Sequence, residues 1–154
     1  MTRDGRLSGV LHVLLHMAEA KGPVTSEAMA RAMQTNPVVV RRIMAGLRDV
    51  GFVRSEKGHG GGWSIARDLT AITLRDVYEA LGRPEIFAMG NRTLAPVCLV
   101  EQAVNAALDG AFRDAEVLLL DRFGAVTLAA LSSDFHARMV ASDRTIDLEA
   151  IHAA

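Results

Sequence analysis

Apolar residues recur at helical spacing along most of this chain, and one short alternating stretch interrupts them. Leu7, Val10, Leu11, Leu14, Leu15 and Ala18 predict a first helix that ends before Lys21-Gly22-Pro23. Thr25 is the expected N-cap of a short second helix, with Val24 and Met29 spaced as a hydrophobic staple. That helix stops near Met33, and Gln34-Thr35-Asn36 turns directly into a third helix over 37–50. There Asn36 is placed to cap and Pro37 takes the first helical position, where its missing N–H costs nothing. Val40, Ile43, Met44 and Leu47 form its core face, and Gly51 stops it. Phe52 to Ser55 and Trp63 to Ala66 have strand character and flank a tip with four glycines in the five residues 58–62. Residues 67–71 connect to a helix capped by Thr73, which carries Leu74, Val77, Tyr78 and Leu81 and ends at Gly82 and Pro84.

Beyond this point the periodicity lapses. Residues 82–96 hold two prolines and two glycines and read as a loop of a length often tied to function. Pro96 is expected to open the longest helix, running to about Phe123 and about 40 Å long. Val97, Val100, Val104, Ala107, Leu108, Ala111, Ala115, Leu118 and Leu119 make a seam along it, longer than the preceding helices and hairpin can cover. A second copy of the same helix is the expected cover, with Val100, Val104, Leu108, Ala111 and Leu118 at the interface; packing within the chain is the plainer reading. Leu128, Leu131, Phe135 and Met139 mark a last helix. The expected organisation is a winged helix-turn-helix domain over 1–82, a connecting or sensor loop over 83–96, dimerisation helices over 97–140 and a flexible tail over 141–154.

The polar face of the third helix suggests what the first unit does. Val38, Arg41, Arg42, Ala45 and Arg48 point away from the core, setting small or apolar groups beside three guanidinium forks. That mixture suits a DNA major groove, where arginine pairs with guanine, small apolar groups meet thymine methyls, and other arginines hold phosphates. A solvated arginine-bearing face is also ordinary, so the helix alone is weak support. The glycine-rich hairpin strengthens it, since Lys57 and His59 at the tip are placed to reach the neighbouring backbone or minor groove. In a helix-turn-helix the first member crosses the phosphates, which adds Thr25, Ser26 and the cap Asn36 to the candidate contacts.

Composition adjusts this picture modestly. Half of the 154 residues are hydrophobic and net charge is −1, which says nothing about nucleic acid; residues 1–66, however, carry nine Lys/Arg against five Asp/Glu, and 67–154 carry eight against thirteen. The apolar run Val10 to Ala18 is far too short for a membrane span and contains His12 and His16, and no signal peptide is evident, so the cytoplasm is expected and no membrane partner. His12 and His16 lie one turn apart without an evident third ligand, so no metal is expected. The single cysteine, Cys98, rules out an internal disulfide and an all-cysteine metal site within one chain.

An enzyme reading rests on His59-Gly60-Gly61-Gly62, which looks like the oxyanion motif of lipases, but no G-x-S-x-G elbow accompanies it and no G-x-x-x-x-G-K-[ST] phosphate loop occurs. No catalytic activity and no cofactor are therefore expected. A winged domain that binds protein instead of DNA is the rival, and the Arg41, Arg42, Arg48 and Lys57 set discriminates against it.

The order helix, helix-turn-helix, Lys57-Gly58-His59-Gly60-Gly61-Gly62-Trp63 wing, Ile72-Thr73-Leu74-Arg75-Asp76-Val77 and a long cysteine-headed helix resembles the Rrf-two family of bacterial winged-helix regulators, over roughly residues 7–131. The resemblance implies a mainly α fold and a homodimer joined through the long helix. It also implies binding to a palindromic operator in double-stranded DNA and repression of transcription. It matches Lys57 to the family's basic wing residue, Val38, Val39, Arg41 and Arg42 to recognition-helix positions, and Cys98 to a cysteine at the head of the dimerisation helix. His59 stands where many members have proline. Members with an iron-sulfur cluster carry three cysteines around the preceding loop, whereas this chain offers Asn91, Arg92 and Thr93 and only Cys98, so no cluster is expected. Cys98 is then either a small buried hydrophobe or a thiol sensor activated by a helix N-terminus.

Overall fold

The computed structural model describes residues 3–142, and in it the predicted apolar faces close on one another. The elements are α1 (Arg6–Glu19), α2 (Ser26–Ala32), α3 (Pro37–Asp49), β1 (Val53–Glu56), β2 (Gly62–Ile65), a 3-10 turn (Leu69–Ala71), α4 (Leu74–Ala80), α5 (Leu99–Gly124) and α6 (Leu128–Ser142). Val10, Val13 and Leu14 from α1, Met29 from α2, Val40, Met44 and Leu47 from α3, Val53 and Trp63 from the hairpin, and Ile72 and Val77 around α4 form one core. This is a mainly helical winged helix-turn-helix with a long helix after it.

Local chemistry explains the element boundaries. Thr25 Oγ1 accepts from the Ala28 N–H at 3.2 Å and Asn36 Oδ1 from the Val39 N–H at 3.1 Å, so each takes up one of the N–H groups a helix start leaves unpaired. Thr73 makes a reciprocal cap: its Oγ1 accepts from the Asp76 N–H at 3.1 Å while Asp76 Oδ2 accepts from the Thr73 N–H at 2.8 Å. Thr73→Ala removes the acceptor and is expected to cost about 1 kcal/mol. Urea unfolding checks this, as a lower midpoint at unchanged slope.

The hairpin is antiparallel with Val53 opposite Ile65 and Glu56 opposite Gly62. β2 is held on its other side as well, because Val24 and Trp63 exchange backbone hydrogen bonds of 2.9 and 2.8 Å. That close approach accounts for Gly62, and the tight turn of the hairpin accounts for Gly61. A Cβ at Gly62 would lie 2.5 Å from the Val24 carbonyl oxygen, and one at Gly61 would lie 2.3 Å from that of Glu56.

Three features differ from the expectation. The long helix begins at Leu99 with Cys98 as N-cap, so Pro96 lies outside it in a backbone that runs irregularly from α4. The first strand begins and ends one residue later than expected, and the second one residue earlier. The last helix starts inside the winged domain's core: Leu128 is fully buried, and the Leu74 and Leu128 N–H groups donate to Val126 and Ile72 at 3.0 and 2.9 Å. Residues 141 and 142 continue α6, and the rest of the expected tail lies outside the described residues.

α5, about 39 Å long, uses only its inner side within the chain. Leu120 is buried, Phe123 meets Tyr78 edge-on at 6.3 Å and Phe112 stacks on Phe87 at 5.3 Å. Leu119, expected on the seam, is half-buried on this inner side beside Tyr78 and Ile86. The 81–98 segment lies along α5 without regular structure, fixed by Asn91 Nδ2 to Asp109 at 2.7 Å, Asn105 Nδ2 to the Thr93 carbonyl at 2.7 Å and an Arg92–Glu101 ion pair.

Candidate nucleic-acid interface

Core packing on one side of α3 dictates what faces outward on the other. With Val40, Met44 and Leu47 buried, the 3.6-residue repeat turns Val38, Arg41, Arg42 and Arg48 to solvent, and Val38 is 61% exposed. Val39 is half-buried at the edge of that face. An exposed valine among arginines has no partner within the chain, which suits an apolar contact with a base edge.

The arginines are not equivalent. Arg41 Nη2 lies 2.7 Å from Glu27 Oε1 on α2, tying the two helices of the turn together. Arg48 makes a looser contact of 3.5 Å with its neighbour Asp49. Among the described residues Arg42, Lys57 and His59 have no ion-pair partner, so their charge or donors are open to a ligand. Lys57 and His59 sit on the exposed wing tip between β1 and β2.

The candidates on α2 have mixed fates. Thr25 is exposed but its hydroxyl oxygen caps α2, and Asn36 likewise caps α3. Ser26 is only 7% exposed, and its Oγ accepts from the Trp63 indole N–H at 3.0 Å. The Ser26 oxygen thus joins α2 to the wing, and only its O–H is left to donate elsewhere. Glu27 was missed in the sequence. It sits two residues beyond the α2 cap, where a helix-turn-helix brings α2 against the start of α3, and that geometry was the available signal.

On α5, Val100 is 72% exposed and Leu118 66%, with Val104, Leu108 and Ala111 also exposed between them. A contiguous apolar stripe of this length is unusual on the surface of a monomer. Cys98 is exposed at the head of this helix. Its sulfur makes no hydrogen bond of good geometry, yet it faces the helix-start N–H groups of Glu101 and Val100, which lower its pKa below the usual thiol value.

A winged helix-turn-helix with an arginine-bearing second helix and a dimer-sized apolar stripe defines the class of DNA-binding transcriptional regulators. The family model described as Rrf2: Iron-dependent Transcriptional regulator matches residues 4–134, and the chain belongs to the Rrf2 family. Its members bind DNA as dimers through this fold and are regulators, not enzymes. YwnA of Bacillus subtilis (strain 168), provisionally named an HTH-type transcriptional regulator, is 30% identical over 113 residues, 73% of this chain and 84% of YwnA. A provisionally assigned transcriptional regulator of Lactobacillus plantarum shares the fold with a TM-score of 0.71 at 22% identity, covering 89% of this chain and 93% of that one. Staphylococcus aureus CymR does so with a TM-score of 0.60 at 20% identity, covering 83% and 93%.

The iron in the family's description does not fit this chain as a thiolate cluster. The chain has one cysteine, it lies exposed at a helix cap, and among the described residues no three His, Cys, Asp or Glu side chains gather where they could hold a metal. No helix among the described residues is long and apolar enough to cross a membrane.

Proposed function

We propose that this chain is a homodimeric, sequence-specific repressor acting in the cytoplasm, with the recognition helix over 37–50 in the major groove and the wing over 56–63 at the adjacent minor groove. The outward face of α3 carries this reading: exposed Val38 for a thymine methyl, and Arg42 and Arg48 for base edges and phosphates. Arg41 joins them when its pair with Glu27 opens. A solvent-exposed pair is worth no more than about 1 kcal/mol, so a guanine or phosphate competes readily with Glu27. The exposed stripe of α5 supports a seam with a second copy, which would set two recognition helices on a palindromic operator.

The test is selection of bound fragments from genomic DNA at physiological salt, with the gene's own upstream region included. Recovery of a dyad with half-sites about one helical turn apart, or a multiple of that, is the expected outcome. Lys57→Ala should weaken binding across all sequences and lower the salt slope by about one unit, whereas Arg42→Ala should relax preference at one base position. Affinity that stays flat with salt in the parent protein would point instead to a protein-binding winged domain.

Control through Cys98 rests on its exposure and on the N–H groups that favour its thiolate. Its alkylation by iodoacetamide should reach half its maximal rate below the pH of a free thiol. Peroxide should weaken operator binding in the parent but leave Cys98→Ser unchanged; an equal response in both proteins rejects the sensor.

A further inference from the structure

The DNA-binding reading leaves one pair of side chains on α1 unused. His12 and His16 lie one helical turn apart, and their Nε2 atoms stand 2.7 Å from each other with the rings tilted by 54°. At this distance the two imidazoles share one N–H between them, and a small rotation that parts the nitrogens to about 3.3 Å lets both Nε2 lone pairs meet one tetrahedral centre. His12 is exposed and His16 half-buried, so the point where the two nitrogens converge is open to solvent on one side.

The groups around the pair are few. Glu19 is the next residue along the same helix face, but its Oε1 is engaged by His136 Nε2 of α6 at 3.1 Å. Burial of His16, and then the proximity of His12, hold His16 below its usual pKa, with Glu19 opposing them; this favours the neutral ring, the form able to ligate a metal. A third protein ligand does not converge on the point, consistent with the lack of any three-residue metal cluster among the described residues.

We propose that His12 and His16 chelate one divalent cation of the zinc class through their two Nε2 atoms, with water completing the coordination shell. Imidazole suits zinc, copper and nickel, and an i, i+4 pair puts two such ligands on one face of a helix, as the pair in a H-E-x-x-H motif is placed. Both ring protons then reside on Nδ1. The cation closes one turn of α1, and a shift of Glu19 away from His136 would give it a carboxylate and link the site to α6. This site is separate from the thiolate chemistry associated with the family and does not depend on the proposed operator contacts.

Titration of the untagged full-length protein with zinc chloride, followed by calorimetry, tests it. One zinc per chain is expected, with binding weakened at least about tenfold in His12→Ala and in His16→Ala. His59→Ala and Cys98→Ser should bind as the parent does. Because His12 is exposed, His12→Ala should keep the parent's circular dichroism, which separates loss of a ligand from loss of fold. Zinc should also raise the melting temperature of the parent and not of His12→Ala. Absence of zinc binding to the parent, or unchanged binding in a variant carrying both His12→Ala and His16→Ala, overturns the site.

Discussion

Glutamate at both Val104 and Leu108 is expected to convert the protein to a monomer and to weaken operator binding by about 10²- to 10⁴-fold. The magnitude is the effective-concentration advantage lost when two linked half-site readers become independent. Both side chains are exposed on α5 and neither belongs to the buried core, and the helix is held to the rest of the chain through Leu120, Phe112 and Phe123. The substitutions therefore leave the intramolecular core untouched. Two charges facing their counterparts across a two-fold seam would be buried without partners, which an apolar interface does not tolerate. Sedimentation should report a monomer with unchanged helicity, and DNA titration should show the loss. A double variant that remains dimeric would remove α5 as the seam and direct attention to α6, where Val140 is also exposed.

The parts of the fold that were legible in the sequence are those where a local rule and the tertiary packing agree. Thr25, Asn36 and Thr73 cap because their side chains reach N–H groups three residues ahead, a distance the sequence states directly. The outward set on α3 follows from its buried set by helical geometry alone. What was not legible depends on contacts between distant segments. Proline at 96 satisfies the local rule for a helix start, but the Pro96 and Val97 carbonyls are taken by the Gln102 side chain at 3.1 and 3.4 Å, and the helix begins beyond them. Seam periodicity places Leu119 outward, yet it lies near the boundary of two faces, and the loop beside Tyr78 draws it inward. Leu128 was readable as helix but not as part of the winged core, because its partner strand segment at Ile72 is more than fifty residues away.

The same distinction applies within the candidate interface. Exposure of Arg41, Arg42 and Arg48 was predictable; the division of labour among them was not, since only the approach of α2 to α3 reveals Glu27 against Arg41. Ser26 is the sharper case. Its position at a helix start suggests a phosphate ligand, and its neighbour in space adds a structural role as acceptor for the Trp63 indole. Thirty-seven residues separate Ser26 from Trp63, so periodicity carries no trace of the bond.

That bond yields the second large expected effect. Trp63 is nearly buried, opposes Ser55 in the hairpin, pairs through its backbone with Val24 and donates its indole N–H to Ser26 at 3.0 Å, so it fixes the wing to α2. Trp63→Ala should cost about 3–5 kcal/mol through lost burial and a residual cavity. A domain of this size has about 5–15 kcal/mol in total, so the variant should be only marginally folded. Trp63→Phe separates the two contributions. It keeps most of the aromatic area but leaves the Ser26 hydroxyl without its donor, at a cost of about 1–3 kcal/mol. Adding Ser26→Ala to Trp63→Phe removes the orphaned group, so the double variant should be more stable than the sum of the two single losses predicts. Strict additivity in urea unfolding would mean that the indole hydrogen bond contributes nothing and that the wing is held by backbone pairing and packing alone. With coupling, the wing's orientation relative to α3 is set by a side-chain bond that touches no DNA. Trp63→Phe should then lower operator affinity even under conditions where it is fully folded.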